Sequence, residues 1–259
     1  MIQKLFLLIM AVCLLSMFLS ACGKSEQSKT FIVGFDADFP PYGYLDNGEY
    51  KGFDLDLARE VAKRNGWEIV LKAINWDAKD MELNSGSIDC IWNGFTMNGR
   101  ENDYEWTEPY VDNSQVVLVK KDSPIQKLQD LVGKTVAVQT DTPVQKALSE
   151  GGDAEALGKS FRKLVITPNY NNAVMELEAG SVNAIAMDIG VAQEKIKAGN
   201  FRMLDEILLS EKYGVGFRKG NTQLRDTVQN TLKAMVADGT AAEISRKYFN
   251  GKDVIVLKP

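Results

Sequence analysis

The chain has 259 residues, enough for one large domain or two modest ones with ample material for a core. Its 30 Lys+Arg against 35 Asp+Glu give a formal net charge of −5, which argues against a polyanionic partner such as a nucleic acid. It has no histidine and only Cys13, Cys22 and Cys90, which excludes Ser-His-Asp and Cys-His nucleophilic pairs, imidazole bases and His-ligated metal sites; no cofactor and no metal are expected.

In chain order, Lys4 precedes an apolar run from Leu5 to Leu19, shorter than the roughly 20 residues of a membrane-spanning helix, with small residues after it. This reads as an export signal over 1–21. It ends Leu19-Ser20-Ala21-Cys22-Gly23, which looks like a bacterial lipobox, in which the Cys22 thiol takes a diacylglycerol and cleavage makes that residue the first of the mature chain. Residues 22–29 are polar and read as a lipidated tether between membrane and fold. With Cys13 removed and Cys22 acylated, Cys90 has no partner for an intramolecular disulfide.

From Thr30 the pattern alternates β-rich runs with helical periodicity. Phe31 to Phe35 reads as a strand, Asp46-Asn47-Gly48 as a hairpin turn, and Asp54 to Asn65 as a helix with Asp54 at its N-cap and Gly66 at its stop. Its apolar positions, Leu57, Ala58, Val61 and Ala62, recur at helical spacing, and Glu68 to Lys72 is the next strand. Strand-helix-strand alternation implies α/β layers with a largely parallel sheet, whose ligand crevices open at the carboxyl ends of the strands.

The most informative feature is an internal repeat. Asn75-Trp76, Met81-Glu82-Leu83 and Gly86-Ser87-Ile88-Asp89-Cys90-Ile91 align without gaps onto Asn169-Tyr170, Met175-Glu176-Leu177 and Gly180-Ser181-Val182-Asn183-Ala184-Ile185 at a constant offset of 94. Each copy reads as helix, glycine cap and strand, so two similar lobes are expected rather than one core. The same offset pairs Gly94 with Asp188, just beyond the two strands and across a cleft. Val33 to Asp36 and Val136 to Gln139 are also alike, each a strand running into a polar loop with proline. Val116 to Lys120 reads as the strand that carries the chain across to the second lobe, and Tyr213 to Arg218 as the one that carries it back, forming a two-strand hinge. The lobes then comprise 30–113 with 212–259, and 114–211. Leu224 to Phe249 is amphipathic helix, broken near Asp238-Gly239-Thr240, that should pack on the first lobe; Trp92, inside an apolar strand, belongs to the core.

Taken together, the lipobox, Gly52-Phe53-Asp54-Leu55-Asp56-Leu57-Ala58, Gly94-Phe95-Thr96 with Arg100 and Pro109-Tyr110, Leu131 to Gln139, and Tyr213 to Gly220 resemble the polar amino-acid solute-binding lipoproteins of ABC importers, from Thr30 to Lys252. The resemblance implies a two-lobe, type II periplasmic-binding-protein-like α/β fold that closes on one ligand at the hinge. A desolvated zwitterion needs charge-assisted partners at both ends. By resemblance, Arg100 would clamp the carboxylate with its planar fork. Thr96 would give its N–H to that carboxylate and its hydroxyl to the ammonium, and Gly94 would offer a carbonyl. Asp188 would pair with the ammonium from the other lobe. Asp36, Phe39 and Trp76 fall on side-chain-pocket positions, the two aromatics as walls and Asp36 as a polarising charge.

Two departures from the family pattern stand out. Thr96-Met97-Asn98-Gly99-Arg100 puts the arginine four residues after the threonine rather than the usual five, with Gly99 available to absorb the change. The second-lobe loop, normally Gly and two Ser or Thr, reads Thr140-Asp141-Thr142-Pro143; Pro143 lacks an N–H and Asp141 would repel a carboxylate, leaving Thr142 as the expected contact.

The resemblance further implies permease and ATPase partners, a monomer, and attachment to the extracytoplasmic face of the membrane. An alternative is a carboxylate-dependent enzyme of the same fold acting on a small amino or keto acid through Asp36, Asp38 and Asp188, although no nucleophile-base pair is evident. The Asp36/Asp38 and Asp54/Asp56 pairs lack the calcium-loop pattern. In a bacterial host, Cys22→Ala should release the protein from membranes or leave its signal uncut. A soluble wild type with no lipid mass on its first residue would refute the anchor.

Overall fold

The computed structural model describes residues 29–259; the export signal, Cys22 and nearly all of the tether lie outside them. β1 (Thr30–Phe35) leads into a small antiparallel sheet of β2 (Asp38–Phe39), β3 (Gly43–Asp46) and β4 (Glu49–Lys51). Asn47 and Gly48 turn β3 into β4 at φ 51° and 83°, as the Asp-Asn-Gly signal predicts. α1 (Phe53–Arg64) buries Phe53, Leu57, Ala58, Val61 and Ala62 along one stripe. β5 (Glu68–Ala73) then runs parallel to β1, α2 (Lys79–Ser85) follows, and β6 (Cys90–Ile91) pairs parallel to β1 on its other side, with β7 (Glu105–Trp106) at the sheet's edge.

β8 (Val111–Lys120) opens the second lobe. Around it form β9 (Thr135–Gln139), α3 (Pro143–Leu148), α4 (Glu155–Ser160), β10 (Lys163–Thr167), α5 (Tyr170–Ala179), β11 (Ala184–Asp188), α6 (Ile189–Ile196), β12 (Phe201–Met203) and β13 (Leu209–Tyr213). β10, β9 and β11 are parallel, whereas β8 is antiparallel to β11, β12 and β13. β14 (Gly216–Phe217) rejoins the first sheet between β6 and β7. α7 (Thr222–Ala237) and α8 (Thr240–Tyr248) then pack on α1, with the break at Asp238-Gly239 as expected. Trp92 is fully buried and Cys90 is a buried free thiol.

The repeat holds down to single hydrogen bonds. α2 and α5 both end on a left-handed glycine, Gly86 and Gly180, and the next N–H groups, of Ser87 and Ser181, each reach a glutamate carbonyl (Glu82, Glu176) at 3.0 Å. Asp89 then takes the N–H of Ile32 at 2.7 Å and Asn183 takes that of Thr135 at 2.9 Å, tying each second strand to the start of its lobe's first. The register follows: Val33 sits opposite Cys90, and Val136 opposite Ala184.

Two expectations are corrected. Val116 to Lys120 is not the crossing, because β8 begins at Val111 and those five residues lie inside the second sheet, pairing with β11 and β12. The chain passes between sheets at Tyr110–Val111 and again at Gly214-Val215, where the Tyr110 N–H donates to the Tyr213 carbonyl at 2.9 Å. The return segment is therefore two strands, β13 in one sheet and β14 in the other.

Asp54 is not the cap of α1. Gly52 holds that position at φ 144°, where an added Cβ would lie 2.1 Å from the Tyr42 carbonyl oxygen, so only glycine fits. Asp54 sits two residues further on, inside the helix's first turn and fully buried, accepting the Gly94 N–H at 2.5 Å and the Tyr110 hydroxyl at 2.8 Å. Burial pushes its carboxyl up to about 7, against the pull of those two bonds. The folded chain thus keeps a proton there well above the ordinary value of 3.8 at which an unfolded chain loses it. The Asp54 share of stability therefore falls as pH rises across that window, by at most about 1.4 kcal/mol per pH unit, and changes no further above it. Asp54→Asn should lose less stability than wild type between pH 5 and pH 8 in urea titrations; an equal loss would contradict this protonation.

Candidate functional site

The carboxyl ends of β1, β6, β9 and β11 converge between the lobes, as the alternation of strands and helices predicts. A small cavity there, with room for the centre of a water-sized sphere over about 20 Å³, is lined by Phe39, Trp76, Gly94, Thr96, Arg100, Thr142 and Asp188, together with Asn93, Gln139 and Pro143. Seven of the eight residues expected at a ligand site thus surround one space. Asp36 is the exception. Its carboxylate takes the Gln139 side-chain N–H at 2.9 Å and the Asp38 N–H at 2.8 Å, and burial raises its affinity for a proton. It braces the two lobes against each other at the cavity's edge instead of lining it.

Gly94 lies at φ 55°, and a Cβ there would approach Phe39 to 2.8 Å and Tyr213 to 3.0 Å, so the position keeps the aromatic wall next to the backbone. Phe39 stacks on Tyr170 across the lobes, centroids 5.9 Å apart and planes at 29°. Tyr170 is the repeat mate of Trp76, and both aromatics border the cleft; the repeat carried that signal, although only Trp76 was read as a site residue.

Asp188 ends β11 and is the N-cap residue of α6, yet its side chain makes no capping bond. Its carboxylate instead accepts from Asn113 at 2.7 Å, Gln115 and Tyr170 at 2.9 Å, and the Tyr213 hydroxyl. Burial raises its affinity for a proton, opposed by those hydrogen bonds. No ion pair involves it among the described residues. A buried carboxylate held only by neutral donors has an unmet demand for positive charge.

Arg100 is drawn to the opposite lobe. Its guanidinium donates to the Asp141 carbonyl at 2.7 Å and the Thr96 carbonyl at 3.4 Å, and lies 5.2 Å from the Phe95 ring centroid. Gly99, at φ 74°, takes the tight turn in the shortened loop before it. Asp141, itself at φ 51°, also forms an ion pair with the buried Lys79, and its carbonyl receives the Trp76 indole N–H at 3.3 Å. The residue expected to repel a ligand carboxylate is therefore neutralised by Lys79 and bound to Arg100. Thr142 caps α3, donating its hydroxyl to the Gln139 carbonyl at 2.8 Å and accepting the Gln145 N–H at 3.3 Å, so its side chain is committed to the helix start.

Further cross-lobe bonds run from Asn169 and Asn171 to Asp38, at 2.9 and 2.7 Å. Sequence reasoning missed Gln139, Lys79, Asn113, Gln115 and Glu211. Only strand alternation, which puts Asn113 and Gln115 on one face of β8, could have pointed to the middle pair.

Comparisons with known proteins identify the family and the fold. The model for bacterial extracellular solute-binding proteins, family 3, matches residues 31–251. The chain belongs to that family. It is 28% identical to the arginine-binding extracellular protein ArtP of Bacillus subtilis, over 96% of this chain and 99% of ArtP. It is 30% identical to the L-cystine-binding protein TcyJ of Escherichia coli K12, over 89% of this chain and 86% of TcyJ. Among solved structures, the arginine-, lysine-, histidine-binding ArtJ of Geobacillus stearothermophilus superimposes with a TM-score of 0.77 at 34% identity, covering 86% of this chain and 96% of ArtJ. The fold is the two-lobe, type II periplasmic-binding-protein architecture.

The Asp141 junction generates a direct test. Asp141→Ala removes the Lys79 ion pair, so the ligand-free variant should populate more open conformations, seen as a larger radius of gyration in small-angle scattering. An unchanged radius would mean that the hinge strands alone set the angle.

Proposed function

We propose that this solute-binding protein captures an L-amino acid with a polar or cationic side chain and delivers it, unchanged, to the permease of an ABC importer. The observation that carries this reading is that Arg100 and Asp188, of opposite charge and from opposite lobes, line one cavity with Gly94 and Thr96 between them. That is the complement of a zwitterion. The arginine fork suits the α-carboxylate, and Asp188, with four neutral partners and no cation, suits the α-ammonium. To take the carboxylate, Arg100 must give up the Asp141 carbonyl, so ligand entry and rearrangement of the lobe contacts are coupled.

Side-chain preference follows from charge. Asp36, bonded to the lining residue Gln139, and its neighbour Asp38 stand beside the cavity, and Arg100, the single lining cation among the described residues, is assigned to the α-carboxylate. An acidic ligand would bring a second negative charge with no partner, which is costly in a closed cleft. The names of the relatives, with arginine, lysine, histidine and cystine among their ligands, support a polar or cationic class. Closure then supplies what the permease reads, since a ligand that touches both lobes stabilises the closed form by its extra contacts there. We further propose that the lobes divide at the two crossings, 30–110 with 215–259 and 111–214, a few residues from the bounds the sequence suggests, and that the protein is a monomer attached to the outer face of the cell membrane through acyl chains on Cys22, two or three of which are needed for stable anchoring.

A calorimetric screen of free amino acids tests this reading, with the ligand recovered and analysed to exclude conversion. Arg100→Ala or Asp188→Ala should weaken binding by about 2–5 kcal/mol while the thermal melt survives, because each leaves the ligand's opposite charge buried without its partner. Tight binding of glutamate with glutamine, arginine and lysine all silent would overturn the assigned polarity.

A further inference from the structure

Glu211 lies in the hinge strand β13 and is only 4% exposed. The register sets it opposite Asn113 of β8, while Asp188 of β11, on the other flank of β8, is opposite Gln115. Asn113 and Gln115 are two residues apart, so their side chains leave the same face of the sheet, and both donate to Asp188. The Thr96 hydroxyl, from the other lobe and lining the cavity, donates to Glu211 Oε2. The remaining oxygens of this layer have no protein donor: Glu211 Oε1, Asn113 Oδ1 and Gln115 Oε1 are all buried and unpartnered. A buried layer with two carboxylates and three idle acceptors is short of protons, and a group with several N–H bonds and a positive charge is what it lacks.

We propose that Glu211 is the second carboxylate of the ammonium site: by accepting the Thr96 hydroxyl proton it turns that oxygen's lone pairs toward the cleft, where they receive the ligand's α-ammonium. The proposal rests on the amino-acid reading above and adds a positioning residue to it, together with a coupling between binding and protonation. In the ligand-free protein, burial and then the Asp188 charge push the Glu211 carboxyl up to about 7, opposed by the Thr96 hydroxyl bond and the nearby side-chain amides of Gln115 and Asn113. The groups that face it on the inner side are Asp188 and the hydroxyls of Tyr42, Tyr170 and Tyr213, none of them a cation. On its outer side Glu211 borders a cavity of about 550 Å³ with Lys79, Arg100 and Lys146 and the carboxylates of Asp80, Asp103, Asp141 and Asp153. None of those cations forms an ion pair with it among the described residues, and Lys79 and Arg100 are engaged by Asp141.

Below about pH 7 the free site holds a proton on Glu211, an arriving ammonium lowers the carboxyl's affinity for it, and binding expels it to solvent. Affinity should rise with pH up to about 7 and level off above, with loss of roughly tenfold or more at pH 5.5 relative to pH 8. The test is calorimetry on the full mature chain with L-arginine, or with the tightest amino acid of the screen above, in buffers of unequal ionisation enthalpy at pH 6 and pH 8.5. Wild type should release close to one proton at pH 6 and almost none at pH 8.5. Glu211→Gln, which keeps an oxygen for Thr96 but no charge, should bind at pH 8.5, release far less at pH 6 and show a nearly flat affinity profile. Asp54→Asn, the other carboxyl near 7, should release as wild type does. Equal proton release by wild type and Glu211→Gln, or a wild-type affinity independent of pH, overturns the proposal while leaving amino-acid binding intact. Failure of every amino acid to bind at pH 8.5 removes the reading on which it stands.

Discussion

A carboxylate taken out of water needs a cation or a full set of hydrogen-bond donors, and Asp188 has only the second. Two amides and two tyrosine hydroxyls hold it at the end of β11, drawn from β8, β13 and α5. Those donors keep the group soluble in the protein without cancelling its charge. The hinge strands β8 and β13 supply three of them, and that is a constraint on the whole molecule: the strands that join the lobes are also the scaffold of a buried, uncompensated charge. Glu211, sharing the same amide layer, makes the demand for a cation larger.

The contacts that close the cleft are of a different kind from those that build each lobe. Within the lobes, buried Val, Ile, Leu and Phe side chains contribute roughly 1.5–3 kcal/mol each. Between them the contacts include Asp36 with Gln139, Asp38 with Asn169 and Asn171, Asp141 with Lys79, Arg100 and Trp76, Thr96 with Glu211, and the Phe39–Tyr170 stack. Each such hydrogen bond is worth about 0.5–1.5 kcal/mol net, because water offers the same groups partners when the cleft opens. Polar closure over apolar lobes therefore lets the lobes part without either unfolding. A ligand that replaces the Asp141 carbonyl on Arg100 and brings a cation to Asp188 exchanges weak lobe contacts for charge-assisted ones.

Much of the fold was legible in the sequence because it rests on local chemistry repeated. Alternating apolar patterns, the Asn47-Gly48 turn and the break at Asp238-Gly239 each depend on neighbours in the chain. The repeat at offset 94 copied a helix, a left-handed glycine and a strand twice, so the two-lobe plan could be read without any contact being known. The resemblance carried Arg100, Thr96, Gly94 and Asp188 as candidates, and the structure brings them round one space.

What tertiary structure decided was which polar groups answer which. Asp54 read as a cap because Asp before an apolar periodic run usually is one, and nothing nearby in sequence announces that Gly94 and Tyr110, forty and fifty-six positions on, will donate to it. Asp141 read as repulsive because Lys79 lies 62 positions away. Glu211 read as nothing at all, since a lone glutamate in a polar strand is ordinary until β8 sets it beside Asn113. By itself the sequence determined elements, lobes and the types of side chain available, all properties of near neighbours and period. Electrostatic pairing depends on distance through space and on the loss of water around each charge, and only the folded chain specifies either.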